Sequence, residues 1–319
     1  MKVLLALLFV FASFFQTGLA QDQIDVPAFL TKAEAASRQY VELFNNLVAD
    51  ETKIIKTFHR DGRLNNERFI RANFIVYRGE RATSVSEFRS VYEFNGKNVK
   101  RSEKDVVKFF EKLSKSDNAN EELSRIKSES QRFDGDVRVW GVTLYQNFFL
   151  LPEIRADISY VLSGRTTFES REVIEITFSQ NKYSPYILSN PTREELAQKQ
   201  RGFQYDTPMN DSLRPTNPRM NGKLWLDAET GQMWKIEFEV WIQPPGATKK
   251  HLVTKSTYEY QSSRFGVLTP KKLTINSFRI FGNKAAEIES KPYVVTTLEY
   301  TNFESIDANV RDYQVGKPE

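Results

Sequence analysis

The sequence contains no cysteine. That excludes a disulfide framework, thiol chemistry and a lipidated cysteine behind a leader. Histidine is nearly absent too: His59 and His251 are the two present, and neither belongs to an H-E-x-x-H pair or a comparable ligand cluster. Each reads as a strand-end or turn-adjacent surface residue. No G-x-S-x-G elbow, Walker loop or dinucleotide fingerprint occurs. Beyond the N-terminus no stretch sustains the ~18 apolar residues that a membrane helix needs. A surplus of one charge sign is also missing: 45 basic residues stand against 41 acidic ones, interleaved along the chain. That pattern is a solvated surface and not a nucleic-acid stripe. The sequence therefore implies no cofactor, no metal, no nucleic-acid partner and no catalytic residue.

What is present begins with an export signal. Lys2 is followed by the apolar run Leu4 to Phe15 and by Thr17-Gly18-Leu19-Ala20, small residues suited to cleavage after Ala20. The alternatives are an N-terminal core helix and a retained anchor. With residues 1–20 read as a cleavable signal peptide, the expected location is periplasmic or secreted, with no transmembrane segment left. Residues 21–319 are then read as a single domain that must be stabilised by its core alone.

Helical spacing comes first. Asp25 and Pro27 open a pattern carried by Phe29, Ala33, Ala36, Tyr40, Leu43, Phe44 and Leu47, which predicts a helix near 27–49. Alternating segments follow. Ile54 to His59 leads into Asp61-Gly62, the return strand puts Ile70, Ala72, Phe74 and Val76 on one face, and a third strand puts Phe88, Ser90, Tyr92 and Phe94 opposite Glu87, Arg89 and Glu93 before Asn95-Gly96. Residues 102–133 return to a helical period behind Ser102-Glu103-Lys104-Asp105, with a break at the polar patch Ser114 to Asn120. The segment Trp140 to Leu151 is densely apolar without a clean period; it reads either as a buried short helix or as an apolar flap carrying Trp140, Tyr145, Phe148 and Phe149.

Strands resume at Ala156 to Ser163 and at Val173 to Phe178. They are interrupted by a Pro-rich loop insertion at 181–221, within which Asn190-Pro191 opens one short helix. The clearest pattern is the second meander. Gly222 to Asp227 and Gln232 to Ile242 flank the turn Ala228-Glu229-Thr230-Gly231, and Trp234, Ile236, Phe238, Val240 and Ile242 share one face. Glu237 and Glu239 lie with Lys235 on the other, a solvated outer face, and Asp227 is read as a cap for its turn. Strands near 251–260, 270–281 and 293–303 finish the chain. The order predicts an α+β fold, a curved antiparallel sheet of about nine to eleven strands, an incomplete β-barrel, wrapped over helices on its concave face.

The run Gly222-Lys223-Leu224-Trp225-Leu226-Asp227-Ala228-Glu229-Thr230-Gly231-Gln232-Met233-Trp234-Lys235-Ile236-Glu237 resembles a hairpin of the outer-membrane lipoprotein carrier (LolA-like) half-barrel group. Gly164-Arg165-Thr166 with Arg171-Glu172-Val173-Ile174 resembles the preceding strand pair, and Tyr300-Thr301-Asn302-Phe303 the group's closing aromatic strand. The resemblance implies an incomplete barrel around helices with an apolar hollow for acyl chains. The chain is longer than the plain carrier, and the 181–221 insertion is unfamiliar in that group.

Three functional readings follow. The leading one is a non-catalytic exported protein holding a lipid or acylated ligand in an apolar hollow lined by Trp234, Ile236, Phe238, Val240, Phe74, Val76, Phe88, Tyr92, Ile174 and Ile176, and carrying it across the envelope. Those side chains are equally the material of an ordinary sheet–helix core. The second is a protein-interaction or sensor module with an envelope protein partner, working through residues 181–221 or the Trp140 segment. The third is a hydrolase.

Overall fold

The structure, a computed structural model, describes residues 24–78, 85–100, 109, 130–135, 143, 149–182, 184, 187–189, 203–205, 218–282 and 289–305. The helix α1 spans Val26–Leu43 and α2 spans Pro152–Arg155. The strands are β1 (Leu47–Phe58), β2 (Leu64–Tyr77), β3 (Ser86–Phe94), β4 (Lys97–Asn98), β5 (Ile158–Phe168), β6 (Arg171–Gln180), β7 (Ile187–Ser189) and β8 (Phe203–Tyr205). They continue with β9 (Arg219–Asp227), β10 (Met233–Ile242), β11 (His251–Gln261), β12 (Thr269–Phe281) and β13 (Glu289–Ser305).

Eleven strands form one antiparallel sheet in the order β4-β3-β2-β1-β13-β12-β11-β10-β9-β6-β5, and it does not close on itself. The count falls within the expected nine to eleven. Tight turns produce the hairpins: Gly62 at φ 86° joins β1 to β2, and Asn95-Gly96 at φ 48° and 75° joins β3 to β4. Asp227 caps the β9–β10 turn, its Oδ1 accepting from Glu229 N at 3.0 Å and Thr230 N at 2.7 Å. Pairing of β1 with β13 joins the two halves of the sheet.

Residues directly opposite each other in an antiparallel ladder point to the same face. One row therefore crosses the sheet as Ile70, Lys53, Leu298, Leu273, Tyr258, Ile236, Leu224, Ile176 and Leu162. All of these are buried except Leu162, which is 37% exposed on the edge strand. This face carries the core, and α1 packs into it through Leu30, Ala33, Tyr40 and Phe44.

Three expectations need correction. The first helix ends at Leu43, not 49, because Asn45-Asn46 breaks it, with Asn46 at φ 51°. Leu47 opens β1 and faces inward as a strand residue, and Leu43 is 41% exposed. The charged face of β3 is the inward one: Glu87 and Arg89 pair with Val76 and Phe74 and are buried. Phe88 pairs with Ile75 on the opposite face, and a register shift leaves Tyr92 in a bulge. Finally, residues 181–221 are not a plain loop, since β7 and β8 pair in parallel within them and β9 begins at Arg219. The short helix expected from Asn190-Pro191 lies outside the described residues, as does the signal peptide. Of the 102–133 helices, Phe109 is helical and 130–135 form turns; the rest lies outside the described residues.

Gly222 sits mid-strand in β9, paired with Phe238 and Phe178. A Cβ there would collide with the Glu237 backbone carbonyl and lie 2.8 Å from Phe178 Cζ and 2.8 Å from Phe238 Cα, so the backbone of β10 and the tip of one ring occupy the space a side chain would take. Gly222→Ala is expected to destabilise the fold by about 1–3 kcal/mol, the usual range for overpacking. Chemical denaturation checks it, and an unchanged midpoint would show that the β10 backbone and the Phe178 ring have room to shift.

Candidate functional site

The inner sheet face separates into an apolar half and a charged end. In the apolar half, Trp234, Ile236, Phe238, Val240, Ile174 and Ile176 are at most 2% exposed, and Phe74 and Val76 are fully buried nearer β1. These eight share the face and one hydrophobic cluster. Phe88 and Tyr92 do not join them, for the register reason given above. Trp234 is pinned by its Nε1, which donates to Asp227 Oδ2 at 3.2 Å. Burial would raise the Asp227 pKa, but hydrogen bonds from Thr230, Trp234 and Glu229 outweigh it and hold the carboxyl below its ordinary value.

Two pieces of chain cover this half. Helix α1 lays small residues against it: Ala33 is fully buried, Ala36 and Ser37 nearly so, and Gly231 of the β9–β10 turn approaches so closely that a Cβ would sit 3.1 Å from Ala33. Tyr40 stacks on Phe44 at 4.7 Å and meets Tyr260 edge-on at 6.4 Å. Polar tethers hold the helix down: Arg155 to Glu34 at 3.2 Å, Arg78 to Glu42 at 2.9 Å, and Tyr40 OH to the Thr143 carbonyl at 3.0 Å.

The second cover is the segment from Phe149 into α2. Phe149 is 3% exposed, with its ring 5.0 Å from Phe178 and 5.2 Å from Phe238, the two ladder partners of Gly222. It is a plug seated against two rings of the inner face. Tyr160 OH donates to its carbonyl, and burial pushes that phenol's pKa well up, so it stays a donor. Trp140, Tyr145 and Phe148, the other flap candidates, lie outside the described residues.

The charged end is built on β1, β2, β3 and β13. Arg89 Nε donates to both Glu51 oxygens at 2.8 Å, its Nη2 lies 3.6 Å from Glu87, and its guanidinium sits 5.2 Å from the Phe74 ring centre. Lys53 pairs with Asp134 at 2.6 Å, with both side chains at most 3% exposed. Glu87 Oε1 accepts from Thr143 N at 3.0 Å and from its hydroxyl. Ser130 brackets the Arg89 backbone, accepting from its N at 2.8 Å and donating to its carbonyl at 3.0 Å. Burial raises the Glu87 carboxyl, partly offset by Arg89 and Thr143. Burial opposes the Arg89 charge, yet Glu51, Tyr300 and Glu87 together drive its pKa well above the ordinary value. The cluster clamps Ser130, Asp134 and Thr143 to the sheet. Sequence reasoning missed it because Glu51, Lys53, Glu87 and Arg89 look like an outer face until their partners are known.

Glu237 and Glu239 pair with Lys235 and Lys255 at 2.6 and 3.0 Å on the outer face. Among the described residues no group of three acidic or histidine side chains could hold a metal, and no helix is long and apolar enough to cross a membrane. His59 lies just past β1 and His251 opens β11.

No family model and no curated protein matches the chain. Among solved structures it is similar to a DUF1329 family protein from Desulfovibrio piger, with 11% identity and a TM-score of 0.32, covering 90% of this chain and 99% of that one. It is also similar to an outer membrane lipoprotein-sorting protein domain from Vibrio parahaemolyticus, with 12% identity and a TM-score of 0.32, over 91% and 94% of the two chains. A LolA superfamily protein from Nitrosomonas europaea follows at 10% identity and a TM-score of 0.29, over 88% and 93%.

Removing one member of a buried pair strands the other charge. Arg89→Met alone is expected to destabilise by about 3–5 kcal/mol. Glu51→Gln in the same chain should recover part of that, giving a coupling energy of roughly 1–3 kcal/mol in a double-mutant cycle followed by denaturation. Strict additivity would mean that the pair is solvated and the clamp does not exist.

Proposed function

We propose that this chain is a non-catalytic, exported binding protein that takes an acyl chain onto its apolar sheet face. The observation that carries the proposal is the plug: Phe149, from a separate segment, rests its ring against Phe178 and Phe238, the two ladder partners of Gly222 on the inner face. The lining side chains are at most 2% exposed, so the compartment is filled by the protein's own groups and a guest enters by replacing them. The way in lies at the β5 edge. There the cross-sheet row ends in the partly exposed Leu162, and half-buried Tyr160 holds the Phe149 carbonyl. Binding is then driven by burial of methylene groups, roughly 0.8 kcal/mol each. An acyl carrier of this kind works between membranes, in keeping with the leader and a periplasmic or secreted location.

A second reading, an envelope protein-interaction or sensor module, is favoured by β5 itself. It is an edge strand of 11 residues with Val161 63% exposed, the kind of edge onto which a partner's strand can add.

Native mass spectrometry of protein purified from cells, followed by lipid extraction, separates the two. A co-purified lipid, together with tighter uptake of a fluorescent fatty acid by Phe149→Ala than by the parent, is the expected result. No extractable lipid and no uptake by either protein would overturn the acyl reading. A specific envelope protein retained by the parent and lost from Val161→Lys would favour the second.

A further inference from the structure

We propose that the groove between the β10–β11 turn and the start of β9, on the outer side of the sheet, is a binding site for a phosphate group carried on an apolar or planar substituent. It encloses about 530 Å³ and is lined by Arg219, Trp241, Gln243, Pro245 and Lys250 among others, with no carboxylate among the described residues of its wall. Arg219 and Trp241 are direct ladder partners, so the guanidinium and the indole stand side by side on one face. The turn is held in shape: Gln243 Nε2 donates to the Ala247 carbonyl at 2.9 Å, Ala247 N to the Pro244 carbonyl at 3.0 Å, and Gly246 supplies φ 75°. Trp241 is oriented by its Nε1, which donates to Glu239 Oε2 at 3.2 Å, and Glu239 is itself occupied by Lys255 at 3.0 Å.

The chemistry of the ligand follows from what the cations lack. Arg219 Nη1 is buried and has no hydrogen-bond partner among the described residues, a state that is unfavourable unless an acceptor arrives. Among the described residues Arg219, Lys249 and Lys250 form no ion pair. A guanidinium fork and a lysine with no opposing carboxylate suit a phosphate, whose oxygens accept several charge-assisted bonds at once. The groove is larger than a bare phosphate needs, and the indole and prolines offer a surface for the ester's other half. Another groove, about 480 Å³ beside His59, gives the contrast. Its cations already have carboxylate partners: Arg63 pairs with Asp61 at 2.6 Å, and Arg60 and Lys291 share Glu289 at 3.3 and 3.8 Å.

His251, which opens β11 beside Lys250, reports on the local field. Burial first, and the charge of Lys249 second, hold its pKa below the ordinary histidine value. An anion seated among these cations opposes the second effect and raises it. Because His59 is the one other histidine of the sequence, an NMR titration resolves both imidazoles, with His59 as the internal reference.

The probes are inorganic phosphate at matched ionic strength, and vesicles of phosphatidylglycerol or of phosphatidylcholine. The expected result is an upward shift of His251, with His59 unmoved, that is lost in Arg219→Gln and reduced in Lys250→Gln, while both variants melt where the parent does. A shift with free phosphate assigns a soluble phosphate ester; a shift with phosphatidylglycerol alone assigns a lipid headgroup. No shift with any probe, or an equal shift in Arg219→Gln, would overturn the proposal. If Arg219→Gln fails to fold, Lys250→Gln decides: the parent's full shift in that variant would also overturn it.

Discussion

The buried contact between Arg89 and Glu51 fixes the register of one end of this sheet. Side chains alternate along a strand, so a slip of one residue in β1 would turn Glu51 and Lys53 to the outer face and bring Asp50 and Thr52 inward. Arg89 would then be left buried beside Phe74 without its carboxylate, a loss on the order of several kcal/mol. Because β1 also pairs with β13, the same constraint sets where the C-terminal half of the sheet begins, through Glu51 opposite Tyr300 and Lys53 opposite Leu298. The phenol of Tyr300, 3.5 Å from Arg89, completes that junction, and burial keeps it protonated.

From that junction the sheet changes character. Toward β3 the inner face is ionic and is covered by Asp134 and Thr143; toward β6 it is aliphatic and aromatic and is covered by α1 and Phe149. The division has a physical consequence. Ionic cover is directional and is lost all at once when a partner is removed, whereas apolar cover is non-directional and can be exchanged for another apolar group of similar volume. If any part of the interior admits a guest, it is therefore the Phe149 side, and the ionic end serves as the fixed frame against which that side can move.

Much of this architecture is legible in the sequence. The Asp61-Gly62, Asn95-Gly96 and Asp227 to Gly231 turns declared the hairpins, and the alternation of Trp234, Ile236, Phe238 and Val240 declared the inner face of β10. Asn45-Asn46 was a readable stop signal for the first helix, obscured because Leu47 falls on both the helical and the strand period. The face of β3 was misread for a deeper reason. Amphipathic alternation assumes that charge faces water, and nothing local to Glu87 and Arg89 reveals that Glu51 and Thr143 wait for them across the sheet. The plug was half visible. Phe149 stood in an apolar segment of no clear period, while a glycine inside a strand signals a close approach without saying by what.

The plug also sets a threshold on what the proposed compartment can select. Taking a phenylalanine out of a packed core without replacement costs about 3–5 kcal/mol. A buried methylene returns roughly 0.8 kcal/mol, so a guest needs about four to six methylenes merely to match the ring it displaces. The tethers of α1 add little to the barrier, since pairs such as Arg78–Glu42, with the glutamate 68% exposed, contribute at most about 1 kcal/mol each. Ordering the guest raises the requirement further. Short acyl groups would therefore leave Phe149 in place, and chains of membrane-lipid length would displace it. Selectivity by length needs no polar recognition inside the compartment: it follows from the ring already occupying it.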